Sequence, residues 1–269
     1  MRLDESAFLL LAGYETIRFM AKTERIHKLV EKYPQRIQEL ERVFDRRTNV
    51  YIDFANVKPW ATKLGWHVDI RRLKQFLDSF GTISSIKLYQ GTLTGDAESE
   101  QFVREVESYG YELTTKPVKI MRLSIDVSSI PADSPEILKS FIRAPLLRTL
   151  RLEAIEYLNN QLRELNRRGT RYLEDRKCNF DVEIGRDMLL DYAEHGIENF
   201  VLWSGDSDFV DPLRQLIDDG MKVCLFATAR RVAAEFGELV RRGLFIYDIQ
   251  KIRNFICWKR EIEPAAEGG

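Results

Sequence analysis

Short apolar runs separated by single amphipathic segments constrain this chain more than any other feature in it. Asn49-Val-Tyr-Ile-Asp53, residues 83–88, Phe200-Val-Leu-Trp203, residues 221–226 and Leu244-Phe-Ile-Tyr247 each have the length and the β-branched or aromatic content of a buried strand. Tyr89-Gln-Gly91 closes the second of them. Residues 70–80, 182–193, 212–219 and 231–241 read as the helices between, and Gly196, Gly220 and Gly243 stand where helices stop. Strands separated by one helix each lie parallel, with the crossovers covering both faces of the sheet. The expected architecture is therefore a three-layer α/β/α domain around a central, mainly parallel sheet.

The rest of the chain decorates that core. Residues 1–47 read as an N-terminal helical extension, in which residues 8–12 form one buried face. Ile26, Leu29, Val30 and Tyr33 precede Pro34, and Ile37, Leu40 and Phe44 resume a three-four spacing, so Pro34 opens a second helix. Such a stripe either docks on the domain or pairs with a second copy of the chain, and the residues do not choose between the two. Further on, residues 101–109 read as helix, 111–121 as extended, and 128–134 as a loop containing Pro131. Leu147, Leu150, Ala154, Leu158, Leu162 and Leu165 then predict one long helix over residues 145–168, ended by Gly169. Residues 121–170 are thus a helical insertion in a domain spanning 48–255, and the 145–168 helix is a second surface through which a homo-oligomer could form. Residues 256–269 read as a tail, frayed from 264 onward.

Composition excludes several classes. The 41 basic and 42 acidic side chains nearly cancel, so any attraction to a polyanion must come from local clustering of charge. Cys178, Cys224 and Cys257 are odd in number and carry no ligand spacing, which argues against a disulfide framework or a zinc site and for a reducing cytoplasm. The apolar stretch at 8–12 is too short for a membrane span and follows Asp4 and Glu5 rather than basic residues, so no membrane association is expected. Ser204 and Ser207 have no evident histidine partner, and no GxxxxGK[ST] loop is present.

In an open parallel α/β sheet the functional crevice lies beyond the carboxyl ends of the strands. Two runs end there in acids: Asp53-Phe-Ala-Asn56 follows the first strand, and Ser204-Gly-Asp206-Ser-Asp208-Phe209 follows the strand at 200–203. Aspartates in such places commonly cap helices and turns. One acid suffices for a cap, however, and Asp206 and Asp208 alternate on a single turn over the flexible Gly205. Carboxylates gathered at one edge repel each other unless a cation sits among them, and hard oxygen donors of this kind suit Mg²⁺ or Mn²⁺.

Tyr51-Ile-Asp53-Phe-Ala-Asn56, Lys177-Cys-Asn-Phe-Asp181-Val with Asp187 beyond it, and Ser204-Gly-Asp-Ser-Asp-Phe209 resemble the three signature blocks of NYN domains, PIN-like nucleases that include the bacterial LabA-type proteins. The resemblance covers residues 49–91 and about 177–249. It implies a metal-dependent ribonuclease with Asp53, Asp181 and Asp206 as principal ligands, and with Asp208 and Asp187 completing the pocket. Asn56 would orient the first carboxylate or touch substrate, Ser204 would join the substrate contacts, and Lys177 would meet a phosphate or pair with an aspartate. Two departures stand out: Pro212 lies one position later than the pattern expects, and the insertion lengthens the usual connection.

Local positive charge is supplied before the acidic block by Arg163, Arg167, Arg168, Arg171, Arg176 and Lys177. Arg230 and Arg231 follow the strand at 221–226, where a backbone phosphate of single-stranded RNA could meet them. No RRM, KH or zinc-finger pattern appears, so recognition is expected to be of backbone and shape. The competing readings are a non-catalytic RNA- or protein-binding regulatory module on the same fold, and phosphatase or phosphotransfer chemistry on small nucleotides with the same acids.

Overall fold

A computed structural model describes residues 19–228 and 233–262. The expected helical face at 8–12, Arg230 and Arg231, and the tail from 264 onward lie outside these residues. The chain divides into two units, one formed by Met1–Pro117 with Cys178–Gly269 and the other by Val118–Lys177.

The larger unit begins with α1 (Glu24–Lys32), whose first turn is capped by the Thr23 hydroxyl accepting from the Ile26 amide, and α2 (Pro34–Val43), which carries its proline in the first turn. Ile26, Ile37, Leu40 and Val43 are buried, and the last three join the core cluster of the sheet domain. The amphipathic stripe thus docks on its own chain. Next come β1 (Thr48–Asp53), the one-turn α3 (Phe54–Val57), α4 (Ala61–Leu64) and α5 (Ile70–Leu77), the last capped by Asp69. Strand β2 (Ile83–Thr92), α6 (Ala97–Ser108, capped by Asp96) and β3 (Glu112–Pro117) complete the first half. The expected strand at 83–88 therefore continues through Tyr89, Gln90 and Gly91, because β3 pairs with all three as Thr114, Thr115 and Lys116.

In the smaller unit β4 (Lys119–Ile125) and β5 (Arg171–Lys177) form an antiparallel ladder running from Lys119↔Lys177 to Ile125↔Arg171. The extended run expected over 111–121 is thus two strands in different sheets, divided at Val118 after Pro117, a residue with no amide hydrogen for a ladder. These strands frame the Val118–Lys177 unit, within which the insertion expected over about 121–170 falls. The single helix expected over 145–168 is instead α7 (Ala144–Leu147) and α8 (Leu152–Asn166), with Arg151 extended at the start of the second. The apolar row reads through the break because residues 148–151 include neither glycine nor proline, while the Thr149 hydroxyl donates to the Leu146 carbonyl at 2.7 Å and closes the first turn there. Helix α8 holds the loop of its own unit: buried Asn159 donates to the carbonyls of Ala132 and Ser134, and Asn166 spans the Ile125 carbonyl and the Val127 amide.

The larger unit resumes with α9 (Asp181–His195), β6 (Asn199–Trp203), α10 (Val210–Asp218), β7 (Lys222–Ala227), α11 (Phe236–Arg241), β8 (Phe245–Asp248) and α12 (Arg253–Ile256). The described part of the helix expected over 231–241 starts only at Phe236. Gly196 ends α9 with φ +61°, a left-handed conformation that costs glycine least.

All adjacent strands of the six-stranded sheet run parallel, in the order β3-β2-β1-β6-β7-β8, and helices flank it to give the expected three layers. Strands β1 and β6 lie at the centre and are buried at every position, which is why they read as continuous apolar runs. Trp203 stacks on Phe226 at 5.3 Å, and Phe226 on Tyr247 at 4.8 Å, carrying the core across β6, β7 and β8. From β1 the chain builds outward through β2 and β3, and after α9 it returns to the other side of β1 at β6. The order of strands reverses between β1 and β6. A crevice opens beyond the carboxyl ends of strands at such a switch point, and Asp53 and Asp206 follow these two strands.

Candidate metal centre

Asp53 is the last residue of β1 and is 6% exposed. Its Oδ1 accepts the Asn56 amide and its Oδ2 the Ser204 hydroxyl, both at 3.2 Å. Ser204 Oγ in turn accepts the Asp206 amide at 3.2 Å, so one buried hydroxyl sets the position of two acids. Asn56 crosses the same gap from the other loop: its Oδ1 accepts the Gly205 amide at 3.2 Å and Trp60 Nε1 at 3.1 Å. These bonds stitch the turn after β1 to the turn after β6. Beyond them Asp206 caps the 3₁₀ turn Ser207–Phe209 by accepting the Asp208 amide, which projects Asp208 into solvent.

The third acid arrives from a different direction. Asp181 is the first residue of α9, its amide held by Asn179 Oδ1 at 3.0 Å. Asp181, Asp206 and Asp208 each offer a carboxylate oxygen within 4.8 Å of the other two, the one such acidic group among the described residues. Their crowding is felt chemically. Burial pushes Asp181 up to about 6, the Asn179 contact opposes this, and the charges of Asp206 and Asp208 push further. Asp53 also rises to about 6, chiefly by burial, against the hydrogen bonds from Asn56 and Ser204 and with the Asp206 charge adding to the rise. Three hard oxygen donors gathered within 4.8 Å of one another are what a small divalent cation would bridge, so the donor set fits Mg²⁺ or Mn²⁺. The amino end of α9 adds a partial positive charge beside the same oxygens.

Not every expected member joins the triple. Asp53 stands outside it, held by Asn56 and Ser204. Asp187 is engaged elsewhere, taking the Tyr89 hydroxyl at 2.8 Å and the Arg186 guanidinium at 2.8 Å, because about 1.7 turns along α9 carry it away from the helix start. Ser204, expected among the substrate contacts, is fully buried, and its hydroxyl positions Asp53 and Asp206 instead. Asn56 orients both loops through its amide and its carbonyl. Lys177 closes β5 in the smaller unit. Lys116 is an addition to the expected residues: it lies near the carboxyl end of β3, pairs with Glu183 at 2.8 Å in the first turn of the helix that begins at Asp181, and stacks over Phe180 at 4.6 Å. It lies one residue before the end of β3, so a rule that looks just after each strand passes over it.

The NYN domain family model matches residues 47–134 and 142–243. That match contains Asp53, Asp181, Asp206 and Asp208, and it also runs through most of the Val118–Lys177 unit, so much of that unit falls within the family's own pattern. A search of curated proteins gives no match. Among solved structures, a protein of unknown function from Vibrio parahaemolyticus RIMD 2210633 is similar, with 15% identity and a TM-score of 0.48, covering 79% of this chain and 96% of that one. Among the described residues, no helix is long and apolar enough to cross a membrane.

Proposed function

We propose, from the premise that the chain belongs to the NYN domain family, a part of the PIN-like nuclease superfamily whose members generally use divalent metals, that it is a metal-dependent ribonuclease cleaving phosphodiesters of single-stranded RNA. The observation that carries this reading is the convergence of Asp181, Asp206 and Asp208 from two separate segments on one point. Those three would hold Mg²⁺ or Mn²⁺. A bound divalent cation of this kind lowers the pKa of a water and neutralises charge on the phosphate.

The chain's own residues do the rest. Above a pH of about 6, Asp53 and Asp181 are ionised, so the pocket presents a concentrated negative charge that admits a cation before it admits a polyanion. Ser204 and Asn56 fix the two loops with bonds of 3.2 Å, limiting the reorganisation the acids need on binding. Asp53 adds a fourth charge, felt at Asp206. Arg230 and Arg231, which follow β7, and Lys177, which precedes Asp181 by four residues, are proposed as phosphate contacts.

The test is Asp206→Asn, a nearly isosteric change. Mn²⁺-dependent cleavage of single-stranded RNA should fall by more than about 100-fold, and a variant that cleaves as fast as the parent refutes the assignment. Products from a panel of RNA, DNA and mononucleotides separate ribonuclease from small-nucleotide phosphatase action. One observation favours a second reading, a non-catalytic RNA- or protein-binding module: Asp53 and Asp206 both cap the turns that follow them, so their presence has a structural use. Under that reading Mn²⁺ leaves the melting temperature of the parent unchanged.

A further inference from the structure

A second concave feature of the larger unit belongs to none of this. A cavity of about 530 Å³ opens behind α3, between the start of α5, the face of α6 and the segment after α12. Its size falls within the range of small-ligand sites. Its walls are aromatic: Phe54 stacks on Phe102 at 5.0 Å and 23°, and His67 lies flat on Trp258 at 4.0 Å and 9°. The second pair is fixed before any ligand arrives. The Trp258 amide donates to the His67 carbonyl, and Glu261 takes both the His67 amide at 2.7 Å and its Nδ1 at 2.9 Å. Trp258 is nevertheless only half-buried, unlike Trp60, Trp66 and Trp203. Beside His67 and Tyr109, the charged groups of the lining are the carboxylates of Glu105 and Asp69 and the ammonium of exposed Lys58; Asp69 is taken up by the Arg72 amide and guanidinium, which leaves Glu105 and Lys58 for a ligand, and the Arg260 guanidinium packs 4.7 Å over the Trp258 ring.

From these observations we infer that the cavity binds a nucleobase of the RNA, with Glu105 accepting from an N–H of the base edge and Lys58 meeting a phosphate. The choice of ligand rests on the nuclease reading of the acidic centre. Geometry ties the two sites together. Residues 54–60, directly after Asp53, form one short helical stretch: Asn56 on one side bonds Gly205, next to Asp206, while Phe54, Val57 and Lys58 line the cavity. A single helical turn therefore separates the acids from the cavity, and a helix with its side chains is roughly 10 Å across. A flanking nucleotide of a strand lying on the acids can reach that far. Aromatic walls accept any base by stacking, whereas one acceptor at the edge gives a modest preference, the behaviour of a positioning site.

The full chain is titrated in EDTA with the fluorescent nucleotide 2-aminopurine riboside 5′-monophosphate, whose emission is quenched on stacking. A saturable quench is expected, displaced by AMP. Stacking contributions per base predict about 5- to 150-fold weaker binding for Trp258→Ala. Lys58→Glu, at an exposed position, should weaken binding severalfold without changing the melting temperature, and it decides the matter if Trp258→Ala does not fold. Asp206→Asn should bind the nucleotide as the parent does. The inference is overturned if the parent shows no saturable quench, if folded Trp258→Ala and Lys58→Glu both titrate like the parent, or if ribose 5-phosphate competes as well as AMP. If the nucleotide binds and RNA is not cleaved, the nuclease reading fails alone. If RNA is cleaved and the titration is flat, the cavity inference fails alone.

Discussion

Replacing Asp53 by asparagine should make the metal-free protein more stable and abolish the proposed cleavage. The carboxyl titrates at about 6 in the folded chain against 3.8 for an ordinary aspartate, because burial outweighs the hydrogen bonds from Asn56 and Ser204. An acid whose folded pKa is raised costs nothing below the unfolded value. The cost grows as pH rises from about 4 to 6 and is complete above that. A carboxyl raised from 3.8 to about 6 loses about 3 kcal/mol at pH 7.5. Asparagine is neutral and keeps one acceptor, so it escapes this penalty but weakens one of the two bonds that Asp53 accepts, a loss of about 1 kcal/mol. The net gain is about 2 kcal/mol, which for a chain of this size raises the melting temperature by about 4 °C or more. Differential scanning calorimetry in EDTA at pH 7.5 and again at pH 4 reads it, with the gain present at the higher pH and absent at the lower. Mn²⁺ at a hundred times its Kd should stabilise the parent by about 2.7 kcal/mol, and the variant by less at the same concentration. A variant no more stable than the parent at pH 7.5, or equally stabilised at both pH values, refutes the argument that Asp53 is a strained acid held for a cation.

Three other outcomes follow from particular contacts. Cleavage should lose about tenfold per pH unit below 6, and up to about hundredfold where Asp53 and Asp181 both take up protons, with the midpoint moving to lower pH at saturating Mn²⁺; a kcat/KM profile flat from pH 4.5 to 8 would contradict this. Lys87→Met should destabilise the fold by about 3 kcal/mol in urea titrations, since Lys87 Nζ sits 2.7 Å from buried Asp191. Burial pushes Asp191 up, but the bonds from Lys87, Tyr51 and Asn49 together hold it below the usual carboxylate range. That stabilisation is present above pH 4 and is lost as pH falls through the lowered value, so parent and Lys87→Met should converge in acid, and adding Asp191→Asn should recover part of the loss. Gly196→Ala, at φ +61° with Arg47 Nη1 4.0 Å away, meets strain rather than a clash and should cost about 1 kcal/mol by thermal melting.

The central sheet was legible because β1 and β6 are buried at every position, and strands with no solvent face write themselves as unbroken apolar runs. Where burial is partial the signal failed. Strand β4 is exposed along nearly its whole length, so nothing in its pattern separated it from β3. The break before α8 left no trace, since Leu147 and Leu150 keep helical spacing across residues that are not helical. At the site, strand-end acids pointed to Asp53, Asp206 and Asp208. Asp181 begins a helix, so only the family resemblance brought it forward, and only the fold shows it closing the triple while Asp53 lies outside. The family resemblance implies Ser204 as a substrate contact; its burial and its bond to Asp53, 151 positions earlier, follow from the pairing of distant strands and leave no local mark in the sequence.

The pairing of β1 with β6 also sets a clock on biosynthesis. Thr48 faces Asn199, so the central seam joins residues 151 positions apart, and the whole of Val118–Lys177 is made in between. At about 5 to 20 residues per second, β1 waits on the order of 8 to 30 s for its inner neighbour. During that interval β1, β2 and β3 can associate, but the flank of β1 that β6 will cover, Val50-Tyr-Ile52, is an apolar edge with unpaired amides, a template for the wrong partner. Slower translation through residues 118–177 lengthens that exposure, so the yield of folded protein should depend on how fast the ribosome crosses a segment that contributes no strand to the sheet.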